Sequence, residues 1–511
     1  MNLIQALRRA CQIRGDGTAV IDPEGALTWS AFMDRVGRLA SALQGLGVGP
    51  GDRVAVLANS GTRYLESYFA PLWLGAVVVP VNSRLSADEA VFVLQDSGAR
   101  VLVVDDAFQA MAVGLRDQCP ALERVVFAGQ ADTPEDMLRY ESLLADASAA
   151  PDPVEGSDHL AALVYTGGTT GRPKGVMLSH GNIHANAFNT IAHMRFDEQT
   201  VHLLAGPLFH IATGARVFCM AITGGTLVVM PRFDSAEVLA VIERHRVTAM
   251  NLVPTMSRML LDDPAFDTAD LSSLRSITTG AAPTTESQKR EIMRRIPHAE
   301  LVELYGMTEL SPGATFMRHG LDPDGLARLM SGGRAVFTGE VRIIDADDRE
   351  LPRGEVGEIV VRGPMVMQGY WNLPELSEET LRGGWMHTGD TGYMDGDGYV
   401  FLVDRIKDMI ISGGENVYSV EVENVISELP GIHQCAVIGV PHELWGEAVQ
   451  AIIVPVEGHA LDADTVIAHC RQRIAAYKCP RSVVIRTEPL PLSPVGKVLK
   501  NELRREARAL A

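Results

Sequence analysis

Over its first hundred residues the chain switches repeatedly between two hydrophobic periods. From Thr28 to about Leu46 apolar positions recur at helical spacing, and "GLGVGPGD" stops the pattern. "RVAVLA" from Arg53 is a short apolar run bounded by turn residues. A helical pattern then extends to Leu74, and "AVVVPV" reads as a buried strand. "SADE", Ser86 to Glu89, is a capping box that opens another helix: the serine oxygen accepts from the third amide and the glutamate reaches back. "RVLVVDD" from Arg100 is again a strand. Continuous apolar strands alternating with helices predict βαβ units and a parallel sheet covered on both faces.

The same texture returns later. "GGTLVVM", "VTAMNLV", "LRSITTG" and "ELVELYG" are strands separated by helical segments such as Ser235 to His245, which predicts a second α/β layer. From about Gly339, "GEVRIIDADDRELPRGEVGEIVVRG" alternates apolar and polar residues between turn signals, as antiparallel strands do. After "FLVDRIKD" come a helix from Ser419 to about Leu429, the strands "QCAVIGV" and "AVQAIIVP", a helix to Ala476 and the strand "RSVVIR". That is a compact α+β unit, with its boundary at Asp404 to Asp408.

Composition narrows the classes. Apolar residues make up 46% and charged residues 21% of 511, an ordinary globular balance. A net charge of −19 argues against nucleic acid as a partner and against adhesion to anionic membranes. The most apolar stretch, "FAPLWLGAVVVPV", is too short to span a bilayer, so stable membrane insertion is not expected. The six cysteines form no CxxC pair and read as free thiols, which with the lack of a secretory pattern predicts a cytoplasmic protein.

The chemistry sits in loops. "YTGGTTGRPKG", Tyr165 to Gly175, is rich in glycine, threonine and cations. A Walker loop would need glycine at Pro173 and a hydroxyl residue at Gly175, so that reading fails on spacing. The physics survives: glycines let backbone amides approach an anion, Thr169 and Thr170 offer hydroxyl donors, and Lys174 offers charge. "LYGMTE" places Thr308 to bond a phosphate oxygen and Glu309 as a plausible Mg²⁺ ligand. Asp390 stands in a glycine-flanked turn suited to ribose hydroxyls, Arg405 stands at the domain boundary, and Lys497 lies on the Pro/Gly loop "PLSPVGKVLK".

Together and in this order, "YTGGTTGRPKG", "YGMTE", "HTGD", "DRIKDMIISGGENVYSVEVE" and "PLSPVGKVLK" resemble the adenylate-forming superfamily of acyl- and aryl-CoA ligases, adenylation domains and luciferases. The resemblance covers essentially the whole chain. It implies an α/β fold: a large N-terminal domain of stacked α/β sheets with a β-barrel-like part, residues 1–404, and a small mobile α+β C-terminal domain, residues 405–511. By position, Thr166, Gly167, Gly168, Thr169, Thr170, Gly171 and Lys174 resemble the pyrophosphate-side loop. Thr308 and Glu309 resemble the phosphate and Mg²⁺ contacts, and Asp390 with Arg405 the ribose-binding pair. Gly280, Ala281, Ala282, Pro283, Tyr305 and Gly306 resemble segments flanking the adenine and the acyl pocket. Lys407 takes the hinge position, Gly413, Gly414 and Glu415 the loop of the thioester step, and Lys497 the lysine that stabilises charge as acyl-adenylate forms. Gly167 stands where the family most often has serine, so one hydroxyl donor is missing.

His210 in "PLFHIATGA", with Asn251, Thr279, Ala281 and Met307, resembles the acyl-pocket wall by position. "HELWG" begins like a zinc-protease motif, but Gly446 replaces the second histidine. The implied reaction activates a carboxylic acid with ATP and Mg²⁺ to acyl-AMP and then transfers it to coenzyme A, with an aromatic or medium-chain fatty acid as substrate. A free-standing enzyme loading a carrier protein and a nucleotide-binding regulator without turnover are the alternatives, and assembly as a homodimer is left open. Lys497→Ala is expected to abolish adenylate formation, by at least the 10²–10³-fold typical of one lost charge-stabilising donor. It should spare thioester formation from synthetic acyl-AMP; equal loss of both half-reactions would overturn the role. Lys407→Pro is expected to stall overall turnover, and normal turnover would refute the hinge.

Overall fold

The computed structural model describes residues 2–150, 159–166, 173–280, 284–405, 408–412, 415–442, 445–456, 458–492 and 498–510, with Arg405, Glu415, Asn416, Ala509 and Leu510 described by backbone alone. Among them, strands assemble into sheets of thirteen, eight and five strands. The early βαβ pattern builds the eight-stranded sheet: Arg53–Leu57 lies parallel to Val77–Pro80 on one side and to Val101–Val104 on the other. The capping box at Ser86 and Glu89 forms with both reciprocal bonds, as its sequence predicts.

The later strands build the parallel half of the thirteen-stranded sheet. Val201–Leu204, Thr226–Val229, Ala249–Leu252, Ser276–Gly280 and Glu300–Gly306 all run parallel. A hairpin that the hydrophobic pattern does not reveal, Thr18–Asp22 with Gly25–Thr28, joins this sheet through Val20 opposite Leu227. It precedes the strands of the other sheet, so only long-range pairing could assign it. The antiparallel strands beyond Gly339 do not stand apart: Ser331–Ala335 bridges Gly313–Arg318 and Val400–Arg405, and the path continues to Glu340–Ile344.

Parallel sheets must be covered on both faces, and here one helical layer covers a face of each. Helices Ile4–Arg14, Trp29–Gly45, Thr62–Trp73, His180–Met194 and Ile211–Thr223 share one apolar cluster with Val54, Val56 and Val78 of one sheet and Leu204, Ala249 and Val302 of the other. Helices Ser235–His245 and Glu286–Arg295 pack on the far face of the large sheet, and Ala87–Ser97 with Gln109–Gln118 on the far face of the smaller. The shared layer is aromatic at its centre. Phe69 packs edge-on against Phe32 at 6.0 Å and against Phe218 at 5.3 Å, joining three helices.

The five-stranded sheet has its own apolar clusters, with Ile410, Val422, Val437, Val449 and Val466 in one and Ile438, Ile452 and Leu503 in the other. Its strands Ile432–His442 and Gly446–Pro455 pair antiparallel, and Ser482–Ile485 runs parallel to the second. The helix expected to reach Ala476 ends at Arg471. Asp404, near the end of the last strand of the large sheet, accepts from the backbone and hydroxyl of Ser419, the first residue of Ser419–Ser427. Lys500 donates to the same hydroxyl and pairs with Glu423 at 2.7 Å. Phe69→Ala is expected to destabilise the large unit by about 3–5 kcal/mol, as truncation of a buried phenylalanine typically does. An unfolding free energy from urea titration within about 1 kcal/mol of the parent, at about equal slope, would show that the cluster does not hold the layer.

Candidate active site

Three parallel strands of the large sheet end side by side, at Leu252, Gly280 and Gly306. Ligands of open α/β sheets bind beyond such carboxyl ends. At Gly306 the Pro312 carbonyl lies too close for any Cβ, so only glycine fits. The chain then makes a single 3₁₀ turn, Thr308–Leu310, with Thr308 and Glu309 both buried.

Glu309 does not stand alone. Its Oε1 accepts from the hydroxyl of Tyr370 at 2.8 Å, and the Lys174 ammonium lies 5.2 Å from the centre of the same ring. Burial, and then the adjacent carboxylate, push the Tyr370 phenol well above its ordinary range, so it is a proton donor at all working pH values. Strand pairing makes the meeting possible: Tyr370 lies opposite Val176, and Trp371 N–H donates to the Gly175 carbonyl. Thr166 and Lys174 face each other across the antiparallel pair Leu160–Thr166 and Lys174–Ser179, so a strand lies on each side of the segment between them. A Walker loop joins a strand to a helix instead.

Asp390 Oδ2 accepts from the Tyr305 hydroxyl at 3.0 Å, and Asp390 lies opposite Arg405 in the antiparallel ladder. The turn before it is fixed by Glu358, which accepts from Gly389 N–H and from His387 Nδ1, each at 3.0 Å. Gly389 has φ of +69°, a conformation that favours glycine. Tyr305 and Glu309 lie on one short stretch, so both polar clusters border the same strand end.

Of the expected acyl-pocket residues, His210, Asn251 and Met307 are half-buried, as are Gly280 and Gly306 at the strand ends. His210 directly precedes the helix Ile211–Thr223, and its backbone carbonyl accepts from Thr213 and Gly214 N–H. Thr279 is fully buried and falls on the opposite face of its strand from Thr278, whose register partner is Asn251. Thr278 therefore shares the Asn251 face, and Thr279 does not. Gly167, Gly168, Thr169, Thr170, Gly171, Ala281, Ala282, Pro283, Lys407, Gly413, Gly414 and Lys497 lie outside the described residues. Glu415 opens the short strand Glu415–Val417, opposite Ser412. Sequence reasoning missed Tyr370. Its signal was slight, an aromatic pair after Gly369, and nothing local says which loop it meets.

Residues 7–371 match the model of the AMP-binding enzyme family, and residues 421–497 match that of the AMP-binding enzyme C-terminal domain. The chain belongs to the AMP-binding enzyme family. It is 42% identical over 504 residues to a feruloyl-CoA synthase of Amycolatopsis sp, covering 97% of each chain. It superposes on ATP-bound MatB from Rhodopseudomonas palustris with a TM-score of 0.91 and 32% identity, over 100% of both chains. For an anthranilate CoA ligase, AuaEII, in complex with anthranoyl-AMP, the TM-score is 0.93 and the identity 28%, over 100% of this chain and 98% of that one. Tyr370→Phe is expected to lower kcat/KM for ATP by about tenfold, the effect of losing one hydrogen bond to a charged group. A pyrophosphate assay across ATP and Mg²⁺ concentrations reads this; an unchanged value would detach Tyr370 from the site.

Proposed function

We propose that the protein is an AMP-forming acid–CoA ligase whose substrate is a small aromatic acid. The observation that carries this reading is the joining of Glu309, Tyr370 and Lys174 beside the strand end where Tyr305 donates to Asp390. The aromatic preference draws on the feruloyl and anthranilate specificities named for the two relatives.

In the first half-reaction a carboxylate oxygen of the acid attacks the α-phosphorus of ATP. The new C–O–P link forms as the bond to pyrophosphate breaks. Both reactants are anionic, so the barrier is largely electrostatic. Lys497, Lys174, Thr308 and the amides of the 166–171 loop would offset that repulsion, with Asp390 and Arg405 holding the ribose. In the second half-reaction the CoA thiol loses its proton and attacks the acyl carbonyl, and AMP leaves. Rotation of residues 405–511 about Lys407 would exchange Lys497 for the face bearing Gly413, Gly414 and Glu415. The separate apolar clusters of the five-stranded sheet support treating that part as a domain.

Glu309 suits Mg²⁺. It is a buried hard-oxygen donor held by one hydrogen bond, and among the described residues no group of three or more His, Cys, Asp or Glu side chains forms a metal cage. The ion's remaining ligands would then be phosphate and water, the usual arrangement on nucleotides. When bound, magnesium neutralises phosphate charge. Use of ATP and CoA fits a cytoplasmic setting, and no described helix is long and apolar enough to cross a membrane.

The expected result is acid-dependent pyrophosphate release, with a CoA thioester detected by mass, strongest for ring-bearing acids in a panel that includes aliphatic ones. No acid-dependent pyrophosphate would favour a nucleotide-binding regulator. Product with a carrier protein and none with CoA would favour carrier loading.

A further inference from the structure

Lys174 and Tyr370 lie on one face of the eight-stranded sheet, and a second set of contacts lies directly behind them. Val164, Val176 and Tyr370 face the shared helical layer, whereas Tyr165, Met177 and Trp371 pack with the helices of the far face. Successive residues of a strand point to opposite faces. Thr166 and Lys174 therefore share the Tyr370 face, and Gly175, opposite Tyr165, shares the Trp371 face. Each site residue thus has a chain neighbour on the reverse of the sheet: Tyr165 behind Thr166, Gly175 behind Lys174 and Trp371 behind Tyr370.

Asp96 ties those neighbours together. It stands in the last turn of the far-face helix Ala87–Ser97. Its Oδ2 accepts from the Tyr165 hydroxyl at 2.6 Å, and its Oδ1 accepts from Asn372 Nδ2 at 3.3 Å. Its backbone carbonyl accepts from Trp371 Nε1 at 2.9 Å. Gly175 fits between the two aromatic residues: a Cβ there would lie 3.1 Å from Tyr165 Cζ and 3.2 Å from Trp371 Cβ. The Gly175 carbonyl accepts from Trp371 N–H at 2.7 Å. Burial first, and then the bond to Asp96, push the Tyr165 phenol well above its ordinary range, so it stays a donor. A carboxylate in the last turn of a helix meets the negative end of the helix dipole. Arg53 offsets that end, with Nη2 donating to the Gly98 carbonyl at 3.0 Å. The helix has no need of an acid there; the strands that the acid joins do.

We propose that Asp96 is a positioning residue for the first half-reaction, holding from behind the sheet the strands that present Thr166, Lys174 and Tyr370 to the pyrophosphate end of ATP. This rests on the ligase reading above. Asp96 acts through Tyr165, Trp371 and Asn372, on the face away from the site. The ribose side is built on other strands, where Asp390 lies opposite Arg405. Release of the Asp96 contacts is therefore felt by the β- and γ-phosphates and not by AMP.

Titration calorimetry of MgATP and of AMP on the full chain reads this, beside kcat/KM for pyrophosphate release and for thioester formation from synthetic acyl-AMP and CoA. Asp96→Ala is expected to weaken MgATP binding by about tenfold, the weight of one hydrogen bond to a charged group, and to leave AMP binding unchanged. The kcat/KM for ATP should fall with it, while the thioester step keeps its rate. Asp96→Asn retains one acceptor oxygen and should recover part of the loss. Tyr165→Phe removes only a hydroxyl; it should weaken MgATP selectively by itself and add nothing to Asp96→Ala, since both break one contact. It also carries the test should Asp96→Ala fold poorly. Unchanged MgATP affinity in both variants, or equal weakening of MgATP and AMP as general loss of structure would produce, would overturn the proposal. Selective loss of MgATP affinity in a chain that releases no acid-dependent pyrophosphate would keep the positioning role and refute the ligase reading.

Discussion

The architecture depends on one constraint: two largely parallel sheets, each needing cover on both faces, share a single helical layer. Phe32, Phe69 and Phe218 come from three helices and meet in that layer, and its apolar cluster reaches strands of both sheets. Because the sheets are locked to a common layer, loops at their ends are held at fixed separation. Tyr370 of the eight-stranded sheet can then reach Glu309 beyond a strand end of the thirteen-stranded one.

Tyr370 is where that geometry becomes chemistry. It lies opposite Val176 in the smaller sheet, and its hydroxyl reaches Glu309, which follows a strand of the larger. The Lys174 ammonium rests near the same ring. One side chain thus couples an acidic and a basic member of the site without an ion pair between them. A direct Lys–Glu pair would spend both charges on each other; here Glu309 takes the hydroxyl of Tyr370 and Lys174 lies over its ring. The shared helical layer also buries Arg216, whose Nη1 donates to Thr190 while Nε has no acceptor. Buried polar atoms without partners are costly.

Much of the fold was legible along the chain. Helix Ser235–His245 and the capping box at Ser86 lie where periodicity and cap chemistry put them, because both are local. The apolar strands were legible because a doubly covered strand has no polar face to hide. The hairpin Thr18–Asp22 with Gly25–Thr28 was not, since its place beside Thr226–Val229 depends on a contact across some two hundred residues. Thr279 shows the finer limit. Position in a motif names a strand end, but a one-residue step on a strand reverses the face, and only pairing with Asn251 says that Thr278 is the inward one.

By itself the sequence determined the class of chemistry, because glycine, hydroxyl, carboxylate and lysine residues in a fixed order each carry a local requirement of phosphate and ribose binding. It also determined the α/β class, because hydrophobic period is a local property. The tertiary structure decided which of those residues meet. It joined Glu309 to Lys174 through Tyr370, set Asp390 against Tyr305, and buried Arg216 against Thr190. Those are contacts between segments far apart in the chain, fixed by sheet register and by the packing of one shared helical layer, and no local pattern encodes them.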